Sequence, residues 1–258
     1  MLATRVIPIL LLKNTGLVKG VRFSNHKYVG DPVNAVKIFN MKEVDELVFL
    51  DITASVEGRK PNYELLADIA SQAFMPFGYG GGLATLQDIE KLFKLGIEKA
   101  ILNTAAIKDL KLIGQASKIV GSQSIVVSMD VKKNILGKYQ IYSHSGSFNT
   151  KLDPVEYAKR AADAGAGELI LCSIDREGTG RGYDIDIVER VAAAVEIPVV
   201  ASGGAATLQH FKQAVDAGAS AVAAGDMFTF HGKHKAVLIT YPDYKKLEAT
   251  FKDAADVK

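Results

Sequence analysis

Pro76-Phe77-Gly78-Tyr79-Gly80-Gly81-Gly82-Leu83-Ala84-Thr85-Leu86-Gln87 and Pro198-Val199-Val200-Ala201-Ser202-Gly203-Gly204-Ala205-Ala206-Thr207-Leu208-Gln209 are two copies of one pattern. The alignment runs without a gap from Pro76–Asn103 onto Pro198–Gly225 and sets Gly96 over Gly218. Each copy reads as a short apolar strand, a glycine pair, a helix opened by threonine, a glycine stop and another strand. Working outward, apolar runs predict eight strands: Thr4–Leu12, Glu46–Ile52, Met75–Tyr79, Lys99–Leu102, Ser124–Val131, Glu168–Ser173, Ile197–Ser202 and Ala219–Ala224. Leu47-Val48-Phe49-Leu50 is apolar on both faces, the mark of a parallel strand buried on both sides. Asp31-Pro32 and Asp153-Pro154 supply helix starts, and Gly165 a stop. Eight strand–helix units close into a (β/α)₈ barrel, with an open doubly wound sheet as the alternative on pattern alone. A two-fold repeat fits the closed form. The expectation is one (β/α)₈ TIM barrel over residues 1–258, in half-barrels of about 1–122 and 123–258, with no linker or composition shift to mark a second domain.

The composition narrows the function classes. Thirty-one basic and 29 acidic residues leave a net charge of +2, which gives no footing for a nucleic-acid or membrane-surface partner. One cysteine, Cys172, excludes an internal disulfide or a multi-cysteine zinc site. The five histidines show no metal spacing, so no metal or cofactor is expected. No apolar run reaches the roughly 18 residues of a membrane span. Met1–Lys19 lacks a small-residue cleavage signature, and a cytoplasmic protein is expected.

In a (β/α)₈ barrel the reactive groups stand at the carboxyl ends of the strands. Gly80-Gly81-Gly82 after the third strand and Ser202-Gly203-Gly204 after the seventh offer bare backbone N–H groups at helix starts, a cradle for anions, although one such copy alone reads equally as a tight turn. Asn103-Thr104 and Gly225-Asp226 complete them, and two symmetric cradles point to a ligand with a phosphate at each end. Asp226 would repel a phosphate unless it points away. Asp130, Asp51, Asp175 and Glu177 are candidate acid/base carboxylates, although strand-end acids also cap helices or pair with cations. Setting Val6–Lys13 over Ile125–Lys132 puts Leu11 opposite Asp130, so one half carries an acid where the other carries leucine. Lys19, in a loop from Lys13 to Gly30 that also holds Lys13, Arg22 and Lys27, is a candidate to close over an anionic substrate, with a solvated basic loop as the alternative. His144 and Ser145 lie in a hairpin-like insertion, Lys132–Ser145, and read as surface residues; Cys172 reads as a buried inert thiol. Arg5, Glu46, Lys99 and Glu168 begin four strands at the opposite mouth, where two cations and two anions form a plug or a gate.

Gly30-Asp31-Pro32-Val33, Asp45–Ser55, Asn103-Thr104-Ala105-Ala106, Gly165-Ala166-Gly167-Glu168, Ser173-Ile174-Asp175-Arg176 and Ala201–Ala205 together resemble the HisF family, the cyclase subunits of imidazole glycerol phosphate synthase. The resemblance runs from Met1 to about Phe230. It implies a phosphorylated substrate with two phosphates and a HisH-like glutaminase partner whose ammonia enters at the amino end of the barrel. By the same resemblance Gly82, Asn103 and Thr104 form one phosphate site, and Gly178, Gly203, Ala224 and Gly225 the other. Lys19 is similar to the family's loop lysine, Arg5, Glu46, Lys99 and Glu168 to its ammonia gate, and Asp130 to one of its two catalytic aspartates.

The other aspartate is replaced. The histidine enzymes of the family read Leu-Asp-Val-Lys where this chain reads Leu10-Leu11-Leu12-Lys13, and leucine neither gives nor takes a proton. Cys172 stands for a threonine, Glu177 for an aspartate and Gly225 for a serine. These departures resemble HisF-like paralogues of surface-polysaccharide synthesis, where ammonia serves an ATP-dependent sugar amidotransferase that builds an acetamidino group. The expectation is such a paralogue with impaired cyclase chemistry. The alternatives are a working cyclase of histidine biosynthesis, a lyase, and a phosphate-binding isomerase with no use for a gate.

Overall fold

The computed structural model describes residues 4–232 and 234–255. Eight parallel strands form the closed ring: β1 (Arg5–Lys13), β2 (Leu47–Asp51), β3 (Phe77–Gly80), β4 (Lys99–Leu102), β5 (Ile125–Lys133), β6 (Glu168–Ser173), β7 (Val199–Ser202) and β8 (Ala221–Ala224). Each pairs with the next in chain order, and β8 returns to β1 through Ile7 opposite Ala223. The fold is therefore the (β/α)₈ barrel, and the open sheet is excluded. Helices α1 (Pro32–Met41), α2 (Tyr63–Gln72), α3 (Leu86–Lys94), α4 (Lys111–Val120), α5 (Pro154–Asp163), α6 (Ile185–Ala192) and α7 (Leu208–Asp216) fill the connections, and α8 (Tyr244–Ala255) packs on α7.

The two-residue period of a strand explains why the runs are apolar on both faces. Val6, Leu10 and Leu12 point outward and join the layer beneath the helices with Phe39, Phe49, Tyr79 and Phe211. Ile7 and Ile9 point inward and meet Val48, Ile101, Val126, Ile170 and Val200, with Leu11 and Leu50 above them. The inward row of each strand thus starts at the amino mouth, crosses an apolar middle and ends at the carboxyl mouth.

Two of these strands continue beyond the barrel. β1 leads into a hairpin of Gly16–Val21 and Ser24–Gly30, where the sequence reads as a loop. Register shifts between Leu17 and Val18 and between Lys19 and Val21 break the alternation that marks a strand. Its turn places Arg22 (φ 52°) and Phe23 (φ 61°) in the left-handed region without glycine, so the usual hairpin signature is absent. β5 continues into a hairpin with Tyr139–Ser143, as the insertion pattern predicts.

The sequence repeat is also a repeat of geometry. Thr85 accepts from the Asp88 N–H in a capping box, and Asp88 Oδ2 takes the Ala84 N–H at 3.3 Å. In the other copy Thr207 accepts from the His210 N–H, and His210 Nδ1 takes the Ala206 N–H at 3.1 Å. An aspartate and a histidine do the same work. Thr85→Ala is expected to lower unfolding stability by about 1 kcal/mol in urea titration, and the same loss from Thr207→Ala would show that the two caps are equivalent.

Candidate active site at the carboxyl mouth

The carboxyl ends of the strands enclose a cavity of about 320 Å³. Its floor is the inward apolar set Ile9, Leu11, Leu50, Ile101 and Ile170. Polar groups from the second half of the chain include Ser128 and Asp130 of β5, Cys172 of β6, Ser202 of β7, and Glu177 from the loop after β6, and Asp51, Thr53, Ser55 and Glu57 line the rim beyond β2. Cys172 and Asp130 are register neighbours, as are Leu11 and Leu50 on the other side. The acid and the leucine that the sequence sets opposite one another therefore both face the cavity.

Asp130 accepts from Asn103 Nδ2 at 3.3 Å. Burial first, and then the negative charge of Glu177, push its carboxyl up to about 7, so near neutral pH it is poised to hold or release a proton. Glu177 is also raised by burial and by Asp226, while Lys19 opposes the rise. Burial holds the Cys172 thiol well above its ordinary range, which keeps it protonated.

Lys19 is 2% exposed. The hairpin after β1 folds over the barrel and carries its ammonium inward, where Nζ donates to the Ile9 carbonyl at 2.8 Å. Burial lowers its proton affinity, partly offset by Glu177 and Asp226. A Cβ at Gly225 would stand 1.7 Å from Lys19 Nζ, so glycine at this position opens the space that the lysine fills. The same hairpin lies across Gly178, where a Cβ would meet the Gly20 carbonyl at 2.2 Å, and the Arg22 N–H donates to the Glu177 carbonyl at 2.9 Å. The predicted lid lysine is thus under the lid and inside the barrel.

The two glycine cradles are not alike. Gly82, Asn103 and Thr104 open on the cavity together with Gly81, Ala105, Ser55 and Ser145. The Gly82 N–H donates to Ser55 Oγ at 3.3 Å, and Thr104 Oγ1 accepts the His144 N–H at 3.1 Å. Of Gly178, Gly203, Ala224 and Gly225, only Gly225 lines the cavity, and the hairpin roofs Gly178. Asp226 turns to Lys235 at 3.4 Å. Asp51 caps the segment behind β2, accepting from the Thr53 and Ala54 N–H groups and from Arg59, and Asp175 takes the Lys133 N–H at 3.1 Å. Both are occupied structurally. The His144 ring packs on Phe148 and meets Ser143 Oγ, away from the cavity lining. Ser202 lines the cavity with the cradle that the sequence places after the seventh strand, Ser145 lines it rather than lying on the surface, and Ser55 and Ser128 join it without a place among the sequence candidates; Ser128 was within reach of sequence reasoning, because it sits two residues before Asp130 and shares its face.

At the amino mouth, Arg5 binds Glu46 and Glu168, and Lys99 binds the same two carboxylates at 2.9 and 2.7 Å. Each cation bridges both anions, so the four side chains form a closed ring beneath the apolar interior. Both glutamates are buried. Among the described residues no group of three or more histidine, cysteine or acidic side chains is placed to hold a metal, and no helix is long and apolar enough to cross a membrane.

Residues 5–235 match the family described as Histidine biosynthesis protein. The chain belongs to that family. It is 51% identical over 249 residues to a Pseudomonas aeruginosa protein provisionally named imidazole glycerol phosphate synthase subunit hisF2, covering 96% of this chain and 99% of that one. A Leptospira interrogans protein, provisionally named as the HisF subunit, is 43% identical over 97% of this chain and all of its own length. The imidazole glycerol phosphate synthase subunit HisF of Streptomyces coelicolor is 44% identical over 89% of this chain and 91% of its own. The chain is a HisF-type member of the histidine biosynthesis family, and the cavity stands at the end of the barrel where reactive groups gather in this fold.

The raised Asp130 carboxyl has a consequence for stability. In the unfolded chain an aspartate titrates near about 3.9. The folded state therefore binds the proton more tightly, and the ionised side chain weakens the fold as pH rises from about 4 to about 7. Asp130→Asn is expected to leave the melting temperature nearly unchanged at about pH 4 and to raise it progressively up to about pH 7, with a plateau beyond. A constant gain at every pH would contradict this.

Proposed function

We propose that this chain is the barrel subunit of a cytoplasmic glutamine amidotransferase complex whose own cyclase chemistry is impaired. A HisH-like glutaminase seats on the amino face as a heterodimer. Its ammonia passes the ring of Arg5, Glu46, Lys99 and Glu168 and crosses the apolar interior. The nitrogen then serves an ATP-dependent amidotransferase that modifies a surface-polysaccharide sugar. Gly82, Asn103 and Thr104 hold a phosphate of a bound ligand, with Gly178, Gly203, Ala224 and Gly225 as the second phosphate site and Lys19 as the cation between. Asp130 exchanges protons with the ligand.

The observation that carries the reading is Leu11 facing Asp130 across the cavity while the ion ring at the other mouth is complete. Cyclisation needs two opposed proton-transfer groups, and loss of one costs roughly 10²–10⁴-fold. The reading of a working cyclase in histidine biosynthesis is favoured by Asp130, whose proton affinity near neutrality suits a general acid/base.

Supplying the bisphosphate substrate and ammonium salt separates the two. Little imidazole glycerol phosphate is expected from the wild type, and turnover within about tenfold of an ordinary HisF would overturn the impaired reading. Leu11→Asp is expected to gain cyclase turnover, and no gain would show that the pocket has diverged beyond this position.

The amino face also offers a seat for the glutaminase. Met41 ends α1 and Phe74 follows α2, both on connections that enter the amino ends of strands, and they are 74% and 87% exposed. Asn40 ties the two corners, donating to the Gln72 carbonyl at 2.6 Å and accepting the Phe74 N–H at 3.0 Å. Phe74→Asp is expected to abolish co-elution with a HisH-type glutaminase without changing the melting temperature of the free chain. Retained co-elution would move the glutaminase to another surface.

A further inference from the structure

The hairpin that extends β5 ends in Asn134-Ile135-Leu136-Gly137-Lys138. Ile135 is fully exposed and Leu136 is 77% exposed. Nothing in the turn calls for them. Asn134 Oδ1 accepts the N–H groups of Leu136 and Lys138 at 2.9 and 3.0 Å, and Gly137 takes the left-handed position at φ 76°. Asparagine and glycine therefore set the geometry, and polar residues at the two tip positions would serve it as well. The hairpin base is fixed by the Lys133 N–H on Asp175, by the Ser145 hydroxyl on the Ile52 carbonyl and by Lys133 Nζ over the Tyr139 ring. The tip is a preformed apolar knob on a fixed stem.

Both hairpins carry charge of one sign along their own chain, while Asp175 and Asp184 meet the second from neighbouring segments at the Lys133 N–H and the Tyr139 hydroxyl. Between Lys13 and Gly30 the chain carries Lys13, Lys19, Arg22 and Lys27, and between Val131 and Lys151 it carries Lys132, Lys133, Lys138 and Lys151, with no aspartate or glutamate in either stretch. All but Lys19 are exposed. A chain with a net charge of only +2 thus concentrates basic side chains on the two hairpins that flank its cavity mouth. Tyr28 on one hairpin and Phe148 beside the other add exposed aromatic surface to the same end.

We propose that this end is a docking face, and that its partner is the ammonia-consuming amidotransferase, which offers an apolar pocket for Ile135 and Leu136 within a rim of carboxylates. The inference rests on the proposed function and adds to it the place where the acceptor seats. Like charge on both hairpins disfavours a second copy of this chain, because two such faces would repel. A partner resting on both hairpins covers the mouth between them and keeps a small uncharged nucleophile from escaping into water. A bilayer has no such use for the mouth.

The test uses the full chain with its HisH-type glutaminase and the purified ATP-dependent sugar amidotransferase of the same organism. The wild type is expected to co-elute with the amidotransferase, more weakly as salt is raised. Ile135→Glu combined with Leu136→Glu is expected to lose that co-elution and at least tenfold of glutamine-dependent amidation. Amidation from added ammonium salt and co-elution of the glutaminase are expected to stay unchanged. Retention of the amidotransferase by the double variant would overturn the docking face alone. Failure of the wild type to bind the amidotransferase, with ready cyclase turnover, would overturn the functional reading and the docking face with it. Sedimentation of the wild type, but not the double variant, with phosphatidylglycerol vesicles would assign the knob to a membrane, and a dimer lost in the double variant would assign it to a second copy. Either result would overturn the proposal.

Discussion

The ring of Arg5, Glu46, Lys99 and Glu168 is the constraint on which the rest of the barrel depends. Four charged side chains begin the inward rows of β1, β2, β4 and β6, where a packed interior otherwise tolerates no charge. They are tolerated because every cation meets both anions, which leaves no carboxylate unpaired. The Arg5 guanidinium is held in its charged form by Glu168 and Glu46 against the cost of burial. Above the ring the interior is apolar as far as the cavity, so charge is excluded between the two mouths. On the proposed function this is what an ammonia path requires: between the ring and the cavity, where Lys19 and Asp130 stand, a small neutral molecule meets an aliphatic interior.

The carboxyl mouth shows the opposite arrangement, with charged groups placed around an aliphatic floor. Asp130, Glu177, Lys19 and Cys172 modify one another's proton affinity, whereas Leu11 and Leu50 contribute only shape. Gly225 and Leu11 shape the pocket in different ways. The first makes room for an ammonium group, and the second sets an aliphatic side chain across the cavity from Asp130. On the proposed function, the pocket holds an anion and has one proton-transfer group, Asp130, where cyclisation needs two.

Most of the barrel was legible because its strands repeat and its helices carry caps. Lys99–Leu102 and Glu168–Ser173 have the same bounds in sequence and structure, and the aspartate and threonine caps accept the expected N–H groups. The hairpin after β1 was not legible, because its bulges break the alternation and its turn puts arginine and phenylalanine where glycine or asparagine is usual. That omission hid the real place of Lys19. Asp51 likewise looks like a catalytic carboxylate in sequence, and only the positions of Thr53, Ala54 and Arg59 show it to be a cap. Ser55 escaped because it stands in the segment after β2, where no strand period marks its direction.

The route of nitrogen is the centre of the account, and isotope competition reads it directly. The complex is given glutamine labelled with nitrogen-15 in the amide, in a large excess of unlabelled ammonium, and the nitrogen of the amidated product is analysed by mass spectrometry. Passage through the ion ring and the apolar interior predicts a product labelled far above the isotopic ratio of the bulk ammonium pool. A product diluted to that bulk ratio would contradict the account, because the nitrogen would then have reached the acceptor through solvent.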